Sequence, residues 1–354
     1  WCSADQKCTN FRLITKLKNM PELKIKDQTP HCSKHGLVAD VGLKERCLIS
    51  FSGGETSAYM LWWLLTHKSD VYDFVIIFAN TGQENEETLE FVRNCENHFG
   101  CKIVWVEAVP RMFFQGRVNK VEDWLNNIQI IKWIGKKLGT KHRVVDFETA
   151  NRDGKVYETV IARYGIPNAA GIFCTRELKL RPITSYLRSI GWKKGTYQSA
   201  IGIRADEFDR MNKDRVKEKL YYPLIKDQPM TKPKINFWWK SQPFRLELKG
   251  YQGNCKWCFK KSDNKLYQLA QETPEIFEFP DKMEQIYGNW IPPDRLAELI
   301  EKGKEIPKNI KFFRNHKSAK DILENSKTFD KNVKDDSDVY DDTESCDIYA
   351  ECGS

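Results

Sequence analysis

From residue 46 onward the chain alternates short apolar runs with longer amphipathic stretches. CLISF (47–51) is an unbroken apolar run of the length expected for a strand buried on both faces. SAYMLWWLLTH, which follows, has the length and spacing of a helix. DFVIIFAN (73–80) predicts a second buried strand. After a polar turn, residues 84–99 predict a helix that turns Leu89, Val92 and His98–Phe99 to the sheet. KIVWVEA (102–108) predicts a third strand, TYQSAIGI (196–203) a further one, and YYPLI (221–225) a short extended segment. Strands alternating with helices predict βαβ units and a parallel sheet. Residues 111–165 read as mostly helical. From 226 the pattern loosens, with Pro229, Pro233 and Pro243 around NFWWK, and helices return over 263–272 and 293–302. The implied division is an irregular arm over 1–40, an α/β core over 41–225, a helical, cysteine-containing element over 226–326, and a tail over 327–354. That tail lacks aliphatic periodicity and reads as disordered. No internal repeat is visible.

Composition adds three constraints. At 354 residues the chain suits one large α/β core with appendages, or two domains. No apolar run approaches a membrane span and no secretory signal is visible, which predicts a cytoplasmic protein without membrane partners. The chain starts at Trp1 rather than Met, which leaves room for an upstream segment. The net charge of +8 is uneven, because residues 327–354 hold nine acids and three lysines. The preceding 326 residues therefore carry 54 bases against 40 acids, a body of +14. Such a body suits an anionic partner, nucleotide or nucleic acid, and equally suits simple solubility. Eleven cysteines, an odd count, with one CxxC, point to metal, cluster or redox chemistry rather than a disulfide scaffold. Cys2, Cys8, His31, Cys32 and His35 lie in the arm at spacings too wide for a standard zinc knuckle. Cys47, Cys95 and Cys101 read as core thiols.

The chemistry-bearing stretch is SFSGGETSAYM, where the first strand turns into the first helix. In an open parallel sheet, ligands bind beyond the carboxyl ends of the strands. Gly53 and Gly54 permit a tight turn and a close backbone approach. Ser52 and Ser57 add hydroxyls, and the free N–H groups of the first helical turn attract anions, phosphate above all. A plain turn without a ligand fits the same residues. The pattern is neither G-x-G-x-x-G nor a Walker loop, since no Gly-Lys-Ser/Thr follows.

SGGETS does resemble the PP-loop, SGGxxS, of the adenine-nucleotide α-hydrolase superfamily, which includes ATP pyrophosphatases and phosphoadenosine phosphosulfate (PAPS) reductases. The usual pyrophosphatase loop reads SGGKDS, so Glu55 and Thr56 replace its lysine and aspartate. Further elements follow in the family's order. FANTGQENEETLEF resembles its second-strand motif, in which Asn80, Thr81 and Gly82 would hold adenine or ribose. Glu84, Glu86 and Glu87 read as acids at a helix N-terminus. AIGIRADEFDR resembles its G-x-R segment, with Gly202 beside the nucleotide, Arg204 reaching phosphate or sulfate, and Arg210 as a second candidate. Asp206 and Glu207 could bind Mg²⁺ or pair with those arginines, and base rates favour pairing. CTRELK contributes Cys174 and the phosphate-contacting Arg176 and Lys179, and GNCKWCF contributes Cys255 and Cys258.

Together these motifs resemble a PAPS reductase-like family of phages and mobile elements, over roughly residues 46–275. The resemblance implies a Rossmann-like parallel sheet and an adenine nucleotide, ATP or PAPS, with Mg²⁺ as a companion. It also implies a phage- or mobile-element-encoded protein of a bacterial host. Cys174, Cys255 and Cys258 then form a candidate three-thiolate [4Fe–4S] site, with zinc or a redox CxxC as alternatives. The ending YAECGS matches the catalytic E-C-G tail of true PAPS reductases at Glu351, Cys352 and Gly353, while Ser354 and the absent histidine depart from it. Three functions stay open. One is sulfonucleotide reduction or sulfur transfer, with a reductant or sulfur-donor partner. The second is ATP-dependent adenylation and thiolation of a nucleic acid. The third is a non-catalytic nucleotide-binding regulator or defence-related protein. Oligomeric state is not readable from sequence.

Overall fold

The five apolar runs build one sheet. β1 (Glu45–Phe51), β2 (Tyr72–Asn80) and β3 (Ile103–Pro110) lie side by side and parallel, connected by α1 (Glu55–His67) and α2 (Glu86–Phe99). β5 (Gln198–Ala200) adds in parallel on the free side of β1 and β6 (Leu220–Tyr221) beyond it. The strand order is β4-β3-β2-β1-β5-β6. The chain therefore leaves β1 for β2 in one direction and returns to its other side with β5. Between the carboxyl ends of β1 and β5 is the topological switch point at which open α/β sheets bind ligands.

The computed structural model describes residues 44–112, 128–253 and 255–330, which belong to one unit. Alternation along the strands accounts for two cores. Cys47, Ile49 and Phe51 pack with Phe78 and Trp105 beneath α1 and α2, while Leu48, Ile77 and Val106 pack with Ile183, Leu187 and Trp192 on the opposite face. Both faces are covered, which is why these strands read as continuous apolar runs. A third core gathers the end of the described chain around Tyr157, Trp257, Phe277 and Phe312. No helix of the described residues is long and apolar enough to cross a membrane.

Three local expectations are corrected. The described part of residues 111–165 is only half helical. Within them α3 (Ile128–Lys137) and α4 (Lys155–Tyr164) flank β4 (Thr140–Val145), which pairs antiparallel with β3. As an edge strand β4 buries only Thr140 fully, so TKHRVV carries no apolar run to read. YYPLI is extended only as far as Tyr221. Pro223 then starts the short helix α6 (Pro223–Lys226), after α5 (Arg181–Ser189) earlier in the chain. The Pro-rich NFWWK region is helical too: Pro233 occupies the first turn of α7 (Lys232–Lys240), where its missing N–H costs nothing. α8 (Asp263–Glu272), α9 (Glu278–Tyr287), α10 (Pro293–Glu301) and α11 (Ala319–Ser326) complete the α-helices of the described residues. The N-terminal Cys/His residues, most of the acidic tail and Cys352 lie outside the described residues.

Candidate functional site

The Ser52–Ser57 loop is shaped by its own short side chains. Ser52 Oγ donates to Ser57 Oγ at 2.9 Å, and Ser57 Oγ donates to the Gly54 carbonyl at 2.9 Å. Gly53 has φ +82°, and a Cβ there would come within 2.9 Å of Thr88 Cγ2 and 3.1 Å of Phe78 Cε2. Conformation and packing both require glycine at this position. Gly202, just after β5, stands where a Cβ would reach 3.1 Å from Ser57 Cα, so the loops after β1 and β5 touch.

A cavity of about 130 Å³ opens over this loop, lined by residues 52–57, Gly202, Arg204 and Lys179, and also by Lys232, Arg245 and Lys249. Arg204 is nearly buried and is aimed by Asp206 (Nε to Oδ1 3.1 Å), Glu207 (3.5 Å) and Thr56 Oγ1 (3.3 Å). Asp206 and Glu207 thus pair with arginine, as base rates suggest. Arg210 does not line the cavity but reaches Glu207. Glu55, at the position of the usual lysine, is buried and takes a two-nitrogen contact from Arg245, at 3.0 and 3.4 Å. A cation therefore still stands at this loop, supplied from 190 residues downstream. Lys232 is 8% exposed, lines the cavity and makes no ion pair among the described residues. Composition near 232 and 245 carries no motif. The one local signal was Thr231-Lys232-Pro233, a helix start that turned its first residue toward the loop.

Asn80 and Gly82 do not line this cavity. Asn80 is fully buried, donating to Glu107 Oε1 (2.6 Å) and the Asn151 carbonyl (2.9 Å) and accepting from Gly82 N–H (3.2 Å). The following Gln83 instead docks the CxxC turn: its side-chain oxygen accepts from Trp257 Nε1 at 2.5 Å and its carbonyl from Lys256 N–H at 2.9 Å. Thr81 bridges the two regions. Its Oγ1 donates to Glu84, which lines the loop cavity, and lies 3.6 Å from Cys255 Sγ.

Cys174 and, 81 or more residues later in the sequence, Cys255 and Cys258 line one small cavity with Thr81, Tyr157 and Lys179. Lys179 thus borders both the thiols and the loop cavity. Tyr157 is fully enclosed and hydrogen-bonded to Cys174; burial first, then the three thiols, push its pKa well above the usual value, so it stays a phenol. This cavity measures about 20 Å³, and among the described residues no three Cys, His, Asp or Glu side chains are grouped closely enough to hold a metal ion. The donor set suits iron or zinc, but its spacing here does not. Cys47, Cys95 and Cys101 are elsewhere: burial pushes Cys47 and Cys101 up to about 12 and raises Cys95 as well, as befits inert core thiols. Arg176 turns away from the loop, donating to Glu177 at 2.7 Å.

Sequence comparison adds a family. The phosphoadenosine phosphosulfate reductase domain matches residues 46–232. An uncharacterized nin region protein of Escherichia phage lambda is 33% identical over 219 residues, 62% of this chain and 67% of that protein. An uncharacterized protein of Methanocaldococcus jannaschii is 24% identical over 276 residues, 74% of this chain but only 45% of that protein.

Proposed function

Because the chain belongs to the phosphoadenosine phosphosulfate reductase domain family, we propose that it is an enzyme acting on an adenine nucleotide, with sulfur chemistry at the adjacent thiols. The phosphates would rest on the Ser52–Ser57 loop, against the free N–H groups at the start of α1. One observation carries this reading. Lys232, nearly buried and without an ion pair among the described residues, lines the loop cavity beside Arg204. A cation in that position is stabilised by an anion from outside the chain. The thiols belong to the reading because Lys179 and the Thr81–Glu84 contact join their cavity to the loop.

Two reactions suit the arrangement. In sulfonucleotide reduction, a thiolate attacks the sulfur and the nucleotide phosphate leaves, and a second thiol then displaces sulfite, forming a disulfide that an external dithiol reduces. In adenylation, an acceptor attacks the α-phosphorus of ATP, pyrophosphate leaves, and a sulfur nucleophile then displaces AMP. Five cationic side chains around the loop favour the second, since they match a polyphosphate. Isothermal titration with ATP/Mg²⁺ and with PAPS, followed by a pyrophosphate assay, separates the readings. ATP binding with sustained pyrophosphate release supports adenylation, and PAPS binding with sulfite release supports reduction. Binding without turnover makes the protein a regulator, and no binding of either nucleotide defeats the proposal. A cluster or zinc at Cys174, Cys255 and Cys258 requires the three sulfurs to draw together. Iron and zinc analysis of anaerobically purified protein tests it, and three freely titrating thiols without metal would rule it out.

A further inference from the structure

A second cleft, about 920 Å³, shares a wall with the thiol cavity. The wall is the π-helical turn Thr175–Leu180: Thr175, Leu178 and Lys179 line the thiol side, and Arg176 and Glu177 line the cleft. α3, α4, the segment after α4, Arg181 at the start of α5, α10 and the segment after α10 form most of the rest. Eight cationic side chains line this cleft against three carboxylates.

The carboxylates are already engaged. Asp294 pairs with the buried Arg163 at 3.2 Å, and Glu298 pairs with Lys302. Glu177, 1% exposed, is shared by Arg176 at 2.7 Å and Arg181 at 3.7 Å, and also accepts from Thr140 Oγ1. Two half-exposed arginines on one carboxylate leave one positive charge over. Lys136, Arg295 and Lys304 are exposed and make no ion pair among the described residues. These three come from α3, α10 and the segment beyond it, so they do not converge on a single anion. Their distribution suits a row of phosphates. On α3, beside the cleft rather than lining it, Trp133 stands 57% exposed with Lys137 over one face of its ring, and its other face is of the kind on which unpaired bases stack.

We propose that this cleft binds the phosphodiester backbone of a nucleic acid, and lays it along the turn whose other side carries Cys174. That the bound strand is the acceptor of the reaction rests on the function proposed above; that the cleft binds it does not.

The test is fluorescence polarisation of the full chain with labelled single-stranded RNA, single-stranded DNA and duplex DNA. Binding should weaken steeply between about 50 and 200 mM salt, with a log–log slope of about −2 to −3 for three or four phosphate contacts on a single strand. Lys136→Glu/Arg295→Glu/Lys304→Glu should lose at least about tenfold in oligonucleotide affinity while keeping wild-type ATP binding and an unchanged circular dichroism spectrum. Should charge reversal prevent folding, the corresponding triple alanine variant carries the same expectation with a smaller loss. The three probes separate RNA from DNA and single strands from duplex. Absence of oligonucleotide binding, wild-type affinity in a folded triple variant, or complete displacement by inorganic pyrophosphate would each overturn the proposal. Loss of ATP binding with intact oligonucleotide binding would count against the nucleotide reading and leave the cleft standing.

Discussion

Adjacent glycines in the loop carry different duties, and substitution separates them. Gly53→Ala forces a Cβ onto a left-handed backbone within 2.9 Å of Thr88 Cγ2, and should cost about 2 kcal/mol or more of stability by urea denaturation. Gly54→Ala meets only Ser52 Oγ, at 3.8 Å, so it should change stability by less than about 1 kcal/mol. Its loss should appear in nucleotide affinity instead. The arginines divide similarly. Arg245→Ala leaves the carboxylate of Glu55 buried without its partner and removes a cation from the cavity. Because Arg245 is about one-third exposed, the expected destabilisation is only about 1–2 kcal/mol, with about a tenfold loss of ATP affinity by calorimetry. Arg210→Ala, at a residue that does not itself line the cavity and reaches it only through Glu207, should leave ATP affinity within about twofold. SGGETS identified the loop, but nothing local in FRLELKG marked Arg245 as its partner.

Among the elements, α9 holds a half-buried acid that ties two later segments, at Phe312 and Ala319, to it. Glu284 accepts from Phe312 N–H at 2.9 Å and from Ala319 N–H at 3.0 Å. Burial outweighs these two donors and raises its pKa from 4.5 to about 7. The folded state therefore holds a proton that the unfolded chain releases near pH 4.5. Stability from this group is complete below that pH and is lost as pH rises toward 7, by about 2 kcal/mol after allowance for its partial exposure. Glu284→Gln should flatten that slope in denaturation curves taken from pH 4.5 to 7.5; an unchanged slope would place the acid's titration elsewhere. Elements differ in how plainly they could be read. β1, β2 and β3 are buried on both faces and announce themselves as apolar runs. β4 is half-exposed at the sheet edge, and α7 starts at a proline that also signals a break.

For the whole molecule, ligand binding should show as stability. If the loop cavity takes a nucleotide, ATP at about a hundred times its Kd should add about 2.7 kcal/mol to unfolding. Lys232→Ala should remove most of that increment in a thermal shift assay. The molecule also concentrates charge at two places: five cations surround the loop cavity, and eight line the cleft beyond the Thr175–Leu180 turn. The +14 of the first 326 residues is thus partly organised into two basic surfaces. One shared segment, 174–181, contributes to both and to the thiol cavity.

The amino-acid sequence by itself determined the parallel strands, the helix that follows each of the first two, and the glycine-bearing turn between β1 and α1. These depend on burial period and backbone freedom, which act over a few residues. Tertiary structure alone decided what surrounds that turn. It brought Arg245 to Glu55, turned Lys232 into the cavity, and gathered Cys174 with Cys255 and Cys258 beside Tyr157. It also buried Asn80 against Glu107 and the Asn151 carbonyl instead of leaving it open at the strand end. The physical reason is range: a hydrophobic repeat is a property of neighbouring positions, whereas ion pairs and converging thiols depend on where distant segments return. Glu55 takes the place of a cation in the loop, and the fold supplies one, Arg245, from another part of the chain.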